Sequence, residues 1–489
     1  MNYIKSIYLL LFLSISCVSV VGQEHYLEKE NLQYKPLINN EIYNTDDLFE
    51  AKKLKFNEEY IDDLNAYNYI INGYYQHYKM IKQSTKFNYF IFNSECNDYL
   101  NKLIQGIATK NKINKKFQTF LIQTSEINAY SFGDQLLGVT TGLLASINSE
   151  QELISVLCHE MAHDLLNHVE IEFKHQAKLH TSDTIENDIN AILEDNLYSN
   201  TRMEEYLADI YSESMRKNSK HELEADSLGL ILLNRCGIKV ESAIKSLLSI
   251  ELNAINDSNL SMINYLQKNK VMVNDYWKYK GDKSRLSDIK YEANSFFDTL
   301  KTHPLTKERI TLLKQYKTET LPDVIELSDS FNYIKKKSIV HCIVSSSIQN
   351  QIHYSIYFSL LLKTMDTSQK FSDQMILINV SKGIFLKKRL SLFKHIGTTD
   401  DDNPHHINII IHFLERLKES ESTTVICPLF NQINQSNIGN IYSATCTLFT
   451  AYFCFNKSNY NDYINDYKNL YYNSLFENDL LYLPKKKLK

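Results

Sequence analysis

From Ser149 onward the apolar positions recur at helical spacing. Leu153, Ile154, Val156, Leu157, Met161, Leu165 and Leu166 cover a broad surface, which predicts a mostly buried helix. Ser149 with Glu152 three residues on is a capping box that starts it. A second strong helix is expected from about Glu222 to Leu233, with Gly237 placed to end it in the left-handed conformation. Between the two, Glu170 to Lys220 is polar with weak helical periodicity. Upstream, residues 116–122 (Lys-Phe-Gln-Thr-Phe-Leu-Ile) and 135–141 (Gln-Leu-Leu-Gly-Val-Thr-Thr) predict two strands by their β-branched and aromatic content. Residues 23–85 are polar and Tyr-rich and predict one or two helices. Stretches near 340–365, 371–391, 404–419, 441–455 and 459–475 predict helices joined by short polar turns, an array without a clean fixed period.

Composition sharpens the fold class. Only 12 Gly and 6 Pro occur in 489 residues, too few turn formers for a sandwich, barrel or propeller. The expectation is a mainly α protein with a small β-sheet. A net charge of −5 implies no global basic surface, so no nucleic-acid partner is expected; Lys485, Lys486 and Lys487 read as a solvated tail. The N-terminus places Lys5 before an apolar run from Ile7 to Val21, ending in Val20-Val21-Gly22. That is the pattern of a secretory signal over residues 1–22. Plain cleavage after Gly22 is favoured over lipidation at Cys17, because Leu13-Ser14-Ile15-Ser16 makes a poor lipobox. No later segment reaches about 18 apolar residues, so no membrane span is expected after signal removal. Of 8 cysteines, an odd number remains without Cys17, and no Cys-x-x-Cys pair occurs. A disulfide framework or structural zinc site is not expected. Cys446 and Cys454 read as buried thiols, with room for a single disulfide.

The chemistry concentrates in Cys158-His159-Glu160-Met161-Ala162-His163. His-Glu-x-x-His on a helix puts His159 and His163 one turn apart on one face, where both rings can grip one zinc ion. Glu160 then stands beside the water that the ion activates, as its general base. A site of this type needs a third protein ligand. The best candidate is Glu222 in His221-Glu222-Leu223-Glu224-Ala225-Asp226-Ser227-Leu228-Gly229. Asp226, four residues on, can accept the spare ring N–H of a ligand histidine. Gly229 lies near the same face, where a missing side chain lets two helices approach closely, and Glu224 points elsewhere. Glu205 and Asp209 have the same carboxylate spacing in a more polar segment without the glycine, and Glu222 is favoured over them. His168, His175 and His180 read as passengers on a polar covering segment, and the pair His405-His406 as surface.

Four blocks in order, Asn128-Ala129-Tyr130-Ser131-Phe132, Thr141-Gly142-Leu143-Leu144, the His-Glu-x-x-His helix and Glu222-x-x-Ala-Asp226-x-x-Gly229, are followed by Thr302-His303-Pro304-x-x-x-x-Arg309-Ile310. From about Asn128 to Arg309 the chain resembles the zinc metalloendopeptidases that include HtpX, the CAAX prenyl proteases and the periplasmic BepA-type quality-control proteases. It fits the soluble, exported branch better than the multi-spanning members. The resemblance implies a zincin-like domain, one zinc ion per chain, Glu222 as third ligand and Asp226 as its outer partner. It also implies His303 near the metal, stabilising the oxyanion or closing the site, and Arg309 as a catalytic helper. Gly133-Asp134-Gln135 departs from the more Gly-rich turn usual in the family. Such proteases hold an extended peptide along an edge strand by backbone hydrogen bonds. That makes Leu136, Leu137, Gly138 and Val139 candidate substrate contacts, against the simpler reading of plain sheet structure.

The expected organisation is a signal peptide (1–22), an N-terminal helical segment (23–85), a zinc metalloprotease domain (86–325) and an α-helical, TPR-like C-terminal domain (326–489). The expected function is zinc-dependent endopeptidase action on extended or misfolded protein segments, in the periplasm or envelope. Other envelope proteins are candidate partners of the C-terminal helices. The alternative is a largely inactive, chaperone-like module with a closed zinc site.

Overall fold

The sheet predicted around residues 116–141 organises the first half of the molecule. The computed structural model describes residues 37–194, 199–251, 260–278, 306–315, 329–365, 370–390, 405–433 and 441–454, with short helical stretches at 464–465 and 467–469. The expectations for residues 1–22, Cys17, His303 and the C-terminal lysines therefore lie outside the described residues. Strands β1 (Phe90–Ile91), β2 (Gln118–Ile122), β3 (Ala129–Gly133) and β4 (Leu136–Thr140) form one sheet in the order β1-β2-β4-β3. β2 and β4 run parallel; the other pairs are antiparallel. Alternation along the strands splits the core in two. Leu121, Leu137 and Val139 face one way, toward α3 (Glu95–Lys110) and α5 (Glu150–Leu165). Phe120, Ile122 and Leu136 face the other way and are covered by Phe56 of α1 (Asp46–Glu59) and Ile70, Tyr74 and Tyr78 of α2 (Leu64–Lys86). The N-terminal helices are thus the second layer of the sheet.

The sheet order corrects the substrate-strand expectation. β4 is paired on both sides and every one of its residues is buried, so Leu136, Leu137, Gly138 and Val139 have no backbone groups to offer a peptide. A continuous apolar run of this kind marks a central strand. Among the described residues the edge beside β4 is β3, whose residues after Ala129 are half-buried. The turn joining them is left-handed at Gly133, Asp134 and Gln135 (φ 77°, 52° and 63°). Two non-glycine residues hold this conformation because their groups are tied down. The Tyr78 hydroxyl donates to Asp134 at 2.5 Å and Lys52 reaches it at 2.8 Å, while the Gln135 N–H donates to Asp164 at 2.8 Å. This is how the departure from a Gly-rich turn is accommodated.

α4 (Thr141–Ser146) follows directly, and α5 begins as predicted, with the Ser149 side chain accepting from the Glu152 N–H. After α6 (His168–His180) and α7 (Asp183–Glu194) comes α8 (Ser199–Arg235), one helix of 37 residues. The expected start near Glu222 is corrected. The first turns of α8 carry exposed Thr201, Arg202, Glu204 and Glu205 and lack an apolar stripe, so periodicity alone is blind to them. Gly237 takes φ 78° just past its end, as expected. α9 (Val240–Glu251), α10 (Met262–Lys268) and α11 (Thr306–Leu313) complete this half.

The C-terminal region is helical as predicted, in α12 (Asp329–Ile348), α13 (Ile352–Met365), α14 (Lys370–Leu390), α15 (His405–Arg416), α16 (Ser422–Ile433) and α17 (Ile441–Cys454). The stretch 340–365 is two helices, broken where Asn350 takes φ 61°. α16, which carries Pro428, was not expected. Ile343, Phe358, Met375, Phe413, Ile426 and Phe449 fill a core that also takes in Leu266 of α10 and Trp277. Cys454 is bonded to Cys427, so the buried-thiol reading holds for Cys446 alone. α12 belongs to both halves and packs on α4: Phe331 and Ile334 enter the core of the first half, whereas Ile339 and the residues after it enter the C-terminal core.

One glycine is required by close approach at the β4–α4 junction. A Cβ on Gly142 would fall far inside van der Waals contact with the Ser125 and Glu126 carbonyls, which are backbone and cannot swing aside. Gly142→Ala is expected to destabilise the fold by about 1–3 kcal/mol in urea denaturation; an unchanged midpoint would contradict this packing.

Candidate metal centre

Two helices and a third short one bring the site together. α5 presents His159, Glu160 and His163, α8 presents Glu222 and Asp226, and α11 presents Arg309. α5 and α8 cross closely because Gly229 has no side chain: a Cβ there would lie 3.1 Å from the His159 Cα and 3.3 Å from the Cys158 carbonyl oxygen. All these side chains line one cleft of about 430 Å³, together with Ala129, Tyr130 and Ser131 of β3.

The donor set suits a tetrahedral ion. His159 Nε2 and His163 Nε2 are 3.1 Å apart; Glu222 Oε2 is 3.4 Å from the first and Glu222 Oε1 is 3.5 Å from the second. Bonds of about 2.0–2.1 Å at tetrahedral angles separate ligand atoms by roughly 3.3–3.4 Å, so this triangle matches zinc with nitrogen and carboxylate ligands. The charges agree with the geometry. His159 Nδ1 donates to Asp226 Oδ1 at 3.0 Å, which turns Nε2 toward the centre. Arg309, only 5% exposed, grips Asp226 through Nε and Nη2 at 2.8 Å each and reaches Glu222 through Nη1 at 3.3 Å. It separates two carboxylates that would otherwise repel on one helix face. Arg309 therefore acts on the carboxylates that hold the histidines.

Without a metal, the same groups trap a proton. Burial disfavours charge on His159, but hydrogen bonds to Asp226 and Glu222 outweigh it and raise its pKa to about 10. Burial, helped by the charge on His159, pushes His163 down to about 3. Burial also holds His168 at about 4, while Asp226 stays below the usual carboxylate range because Arg309 and His159 offset its burial.

Several residues fall elsewhere than expected. His168 is not a passenger. It is 5% exposed and its Nδ1 lies 2.9 Å from His163 Nδ1, while its Nε2 lies 3.3 Å from Glu224. Glu224 does leave the metal triangle, but it turns to this buried ring. His221 stacks on His168 at 4.2 Å. His175 is buried against Lys217, and His180 stacks on Tyr69. Glu205 and Asp209 are exposed on the early part of α8, far along the helix from the cleft lining. α15 begins at His405, and the side chains of His405 and His406 lie outside the described residues.

At neutral pH the metal-free His159 is protonated, because its pKa of about 10 lies above the solution pH. An ion that takes its Nε2 must displace that proton. Calorimetric zinc titrations at pH 7 in buffers of different ionisation enthalpy are expected to show release of about one proton per ion; zinc uptake without proton release would contradict this electrostatic reading. Asp226→Asn is expected to weaken zinc binding by about 10–100-fold in chelator competition, and wild-type affinity would remove Asp226 from its assigned place.

Comparison with known proteins agrees with this geometry. Residues 94–317 match the model of peptidase family M48. A protein of Vibrio cholerae that bears the name beta-barrel assembly-enhancing protease is 32% identical over 83 residues, which is 17% of this chain and 17% of that protein. The match to this relative thus spans about a sixth of its length. The matched family segment contains β2, β3 and β4, the histidine helix, the carboxylate helix and Arg309. Residues 94–317, slightly less than half of the chain, therefore carry a match to peptidase family M48 that takes in the whole described metal centre.

Proposed function

We propose that this chain is a zinc-dependent endopeptidase that hydrolyses peptide bonds in extended or misfolded protein segments. The observation that carries the reading is the triangle of His159, His163 and Glu222 with Glu160 in the same cleft. His159, His163 and Glu222 would hold one zinc ion, and when bound it would supply Lewis acidity toward the scissile carbonyl and toward water. Glu160 takes the proton from the attacking water and delivers it to the leaving amine nitrogen, so the peptide bond is exchanged for a carboxylate and an amine. Asp226 and Arg309 hold His159 and Glu222 in place. His303 remains a candidate for stabilising the oxyanion or closing the site.

The substrate strand passes from β4 to β3. Ala129, Tyr130 and Ser131 line the cleft and belong to the edge strand. A peptide added along β3 would be gripped by backbone hydrogen bonds, with little demand on its sequence. Only an extended segment can pair this way, which supports unfolded chains as substrates. No helix among the described residues is long and apolar enough to cross a membrane. With the N-terminal apolar run this supports an exported protein, in the periplasm or envelope, whose C-terminal helices meet other envelope proteins. Nothing observed favours the chaperone-like alternative.

Glu160→Gln is expected to lower casein cleavage by on the order of 10²–10⁴-fold while one zinc ion per chain stays bound. Undiminished cleavage by that variant would refute the assignment.

A further inference from the structure

The two histidine ligands are backed differently, and the difference fixes every proton around His163. Asp226 backs His159 directly, at 3.0 Å. His163 Nδ1 meets another imidazole nitrogen, His168 Nδ1, at 2.9 Å, and His168 Nε2 continues to Glu224 at 3.3 Å. Two facing ring nitrogens share one hydrogen: one donates and the other accepts. If His168 donated, a neutral His163 would carry its own hydrogen on Nε2, the atom that faces His159 Nε2 and Glu222. That would block coordination.

We propose that His168 is a positioning residue for the metal centre: it accepts the Nδ1–H of His163, passes the constraint through its own Nε2–H to Glu224, and so locks His163 as a zinc ligand. The alternation closes without a mismatch. His163 Nδ1 donates, His168 Nδ1 accepts, His168 Nε2 donates and the Glu224 carboxylate accepts. His163 thereby receives the support of a carboxylate through an intervening neutral ring.

Local structure is built to place this ring. Asn167 adopts φ 57° and reverses the chain between α5 and α6, so the first residue of α6 returns beneath His163. Asn is one of the few residues that takes this conformation readily. His221 covers the face of His168, with ring centroids 4.2 Å apart and planes at 12°.

The same residues invite a different reading. Ligand atoms of His168, His221 and Glu224 lie within 4.8 Å of one another and could hold a second metal ion. Ring geometry argues against it: nearly parallel stacked rings aim their in-plane lone pairs side by side, not at a common point.

The inference rests on the zinc site at His159, His163 and Glu222, and the test separates the two. Zinc stoichiometry and affinity are measured by chelator competition on the full chain, with folding checked by circular dichroism. Wild type is expected to bind one ion. His168→Phe, which keeps the stacking area but cannot accept, is expected to lose about 10–100-fold in affinity. His168→Gln, whose carboxamide oxygen can accept, is expected to recover to within about threefold of wild type. Glu224→Ala, at a side chain 42% exposed, is expected to shift affinity in the same direction by a smaller factor. Wild-type affinity in His168→Phe, or equal losses in the Phe and Gln variants, would overturn the proposal while leaving the zinc site standing. Two ions in wild type falling to one in His168→Phe would overturn it in favour of a second metal. If the Phe variant fails to fold, wild-type affinity in Glu224→Ala decides against the proposal. Absence of zinc binding in the wild type would remove both the centre and the relay.

Discussion

The close crossing of α5 and α8 at Gly229 is the constraint on which the rest depends. Two histidines one turn apart on one helix cannot make a metal site alone. They need a carboxylate brought to within about 3.5 Å by another element. The missing side chain at Gly229 lets the backbone of α8 lie against His159 itself, and Asp226 and Glu222 then face the two rings from about one and two turns away. The cost of this arrangement is electrostatic, because two half-buried carboxylates share one helix face. Arg309 offsets that cost with a two-point grip on Asp226 and a third contact on Glu222. Fold and chemistry meet in this one contact: the sheet supports α5, α5 seats α8, and the acidic pair recruits α11.

The linear pattern reveals the parts of this centre that repeat within one helix. His159, Glu160 and His163 lie within a turn of each other, and so do Glu222 and Asp226. The spacing alone shows which side chains share a face. Arg309 sits 83 residues beyond Asp226, and no periodicity joins them; it was reached only through the family resemblance. The pairing of His168 with His163 was missed although only five residues separate them. It depends on a left-handed Asn167 that reverses the chain, and reversal is invisible to a helical count. Glu224 was placed off the metal face correctly, but its partner depends on that same reversal.

The strand at 135–141 forms as expected, but its reading as the substrate edge failed for a different reason. Residues 135–141 have the stronger apolar signal, and that signal measures burial. Burial is greatest where a strand has neighbours on both sides. The more polar stretch Asn128-Ala129-Tyr130-Ser131-Phe132 forms the edge because one side of it faces the cleft. The long helix α8 shows the same blindness in reverse, since its first turns are exposed and give no periodic signal. Apart from α16, the helices of the C-terminal region were legible because they are buried on most sides. Asn350 was not, because a single left-handed residue suffices to divide one apolar stretch into two helices.

α12 carries a consequence for how this architecture can change over time. Its first turns are anchored in the core of the first half, alongside α4, and its later turns in the C-terminal core, and Lys335 is buried between them with its ammonium donating to the Ile147 carbonyl at 2.6 Å. Among the described residues, the seam between the two halves is therefore a continuous helix and offers recombination no loop to cut. The C-terminal helices cannot be exchanged as a cassette at residue 326. A replacement region has to bring its own version of α12, complementary to α4, so the two halves are bound to diverge together.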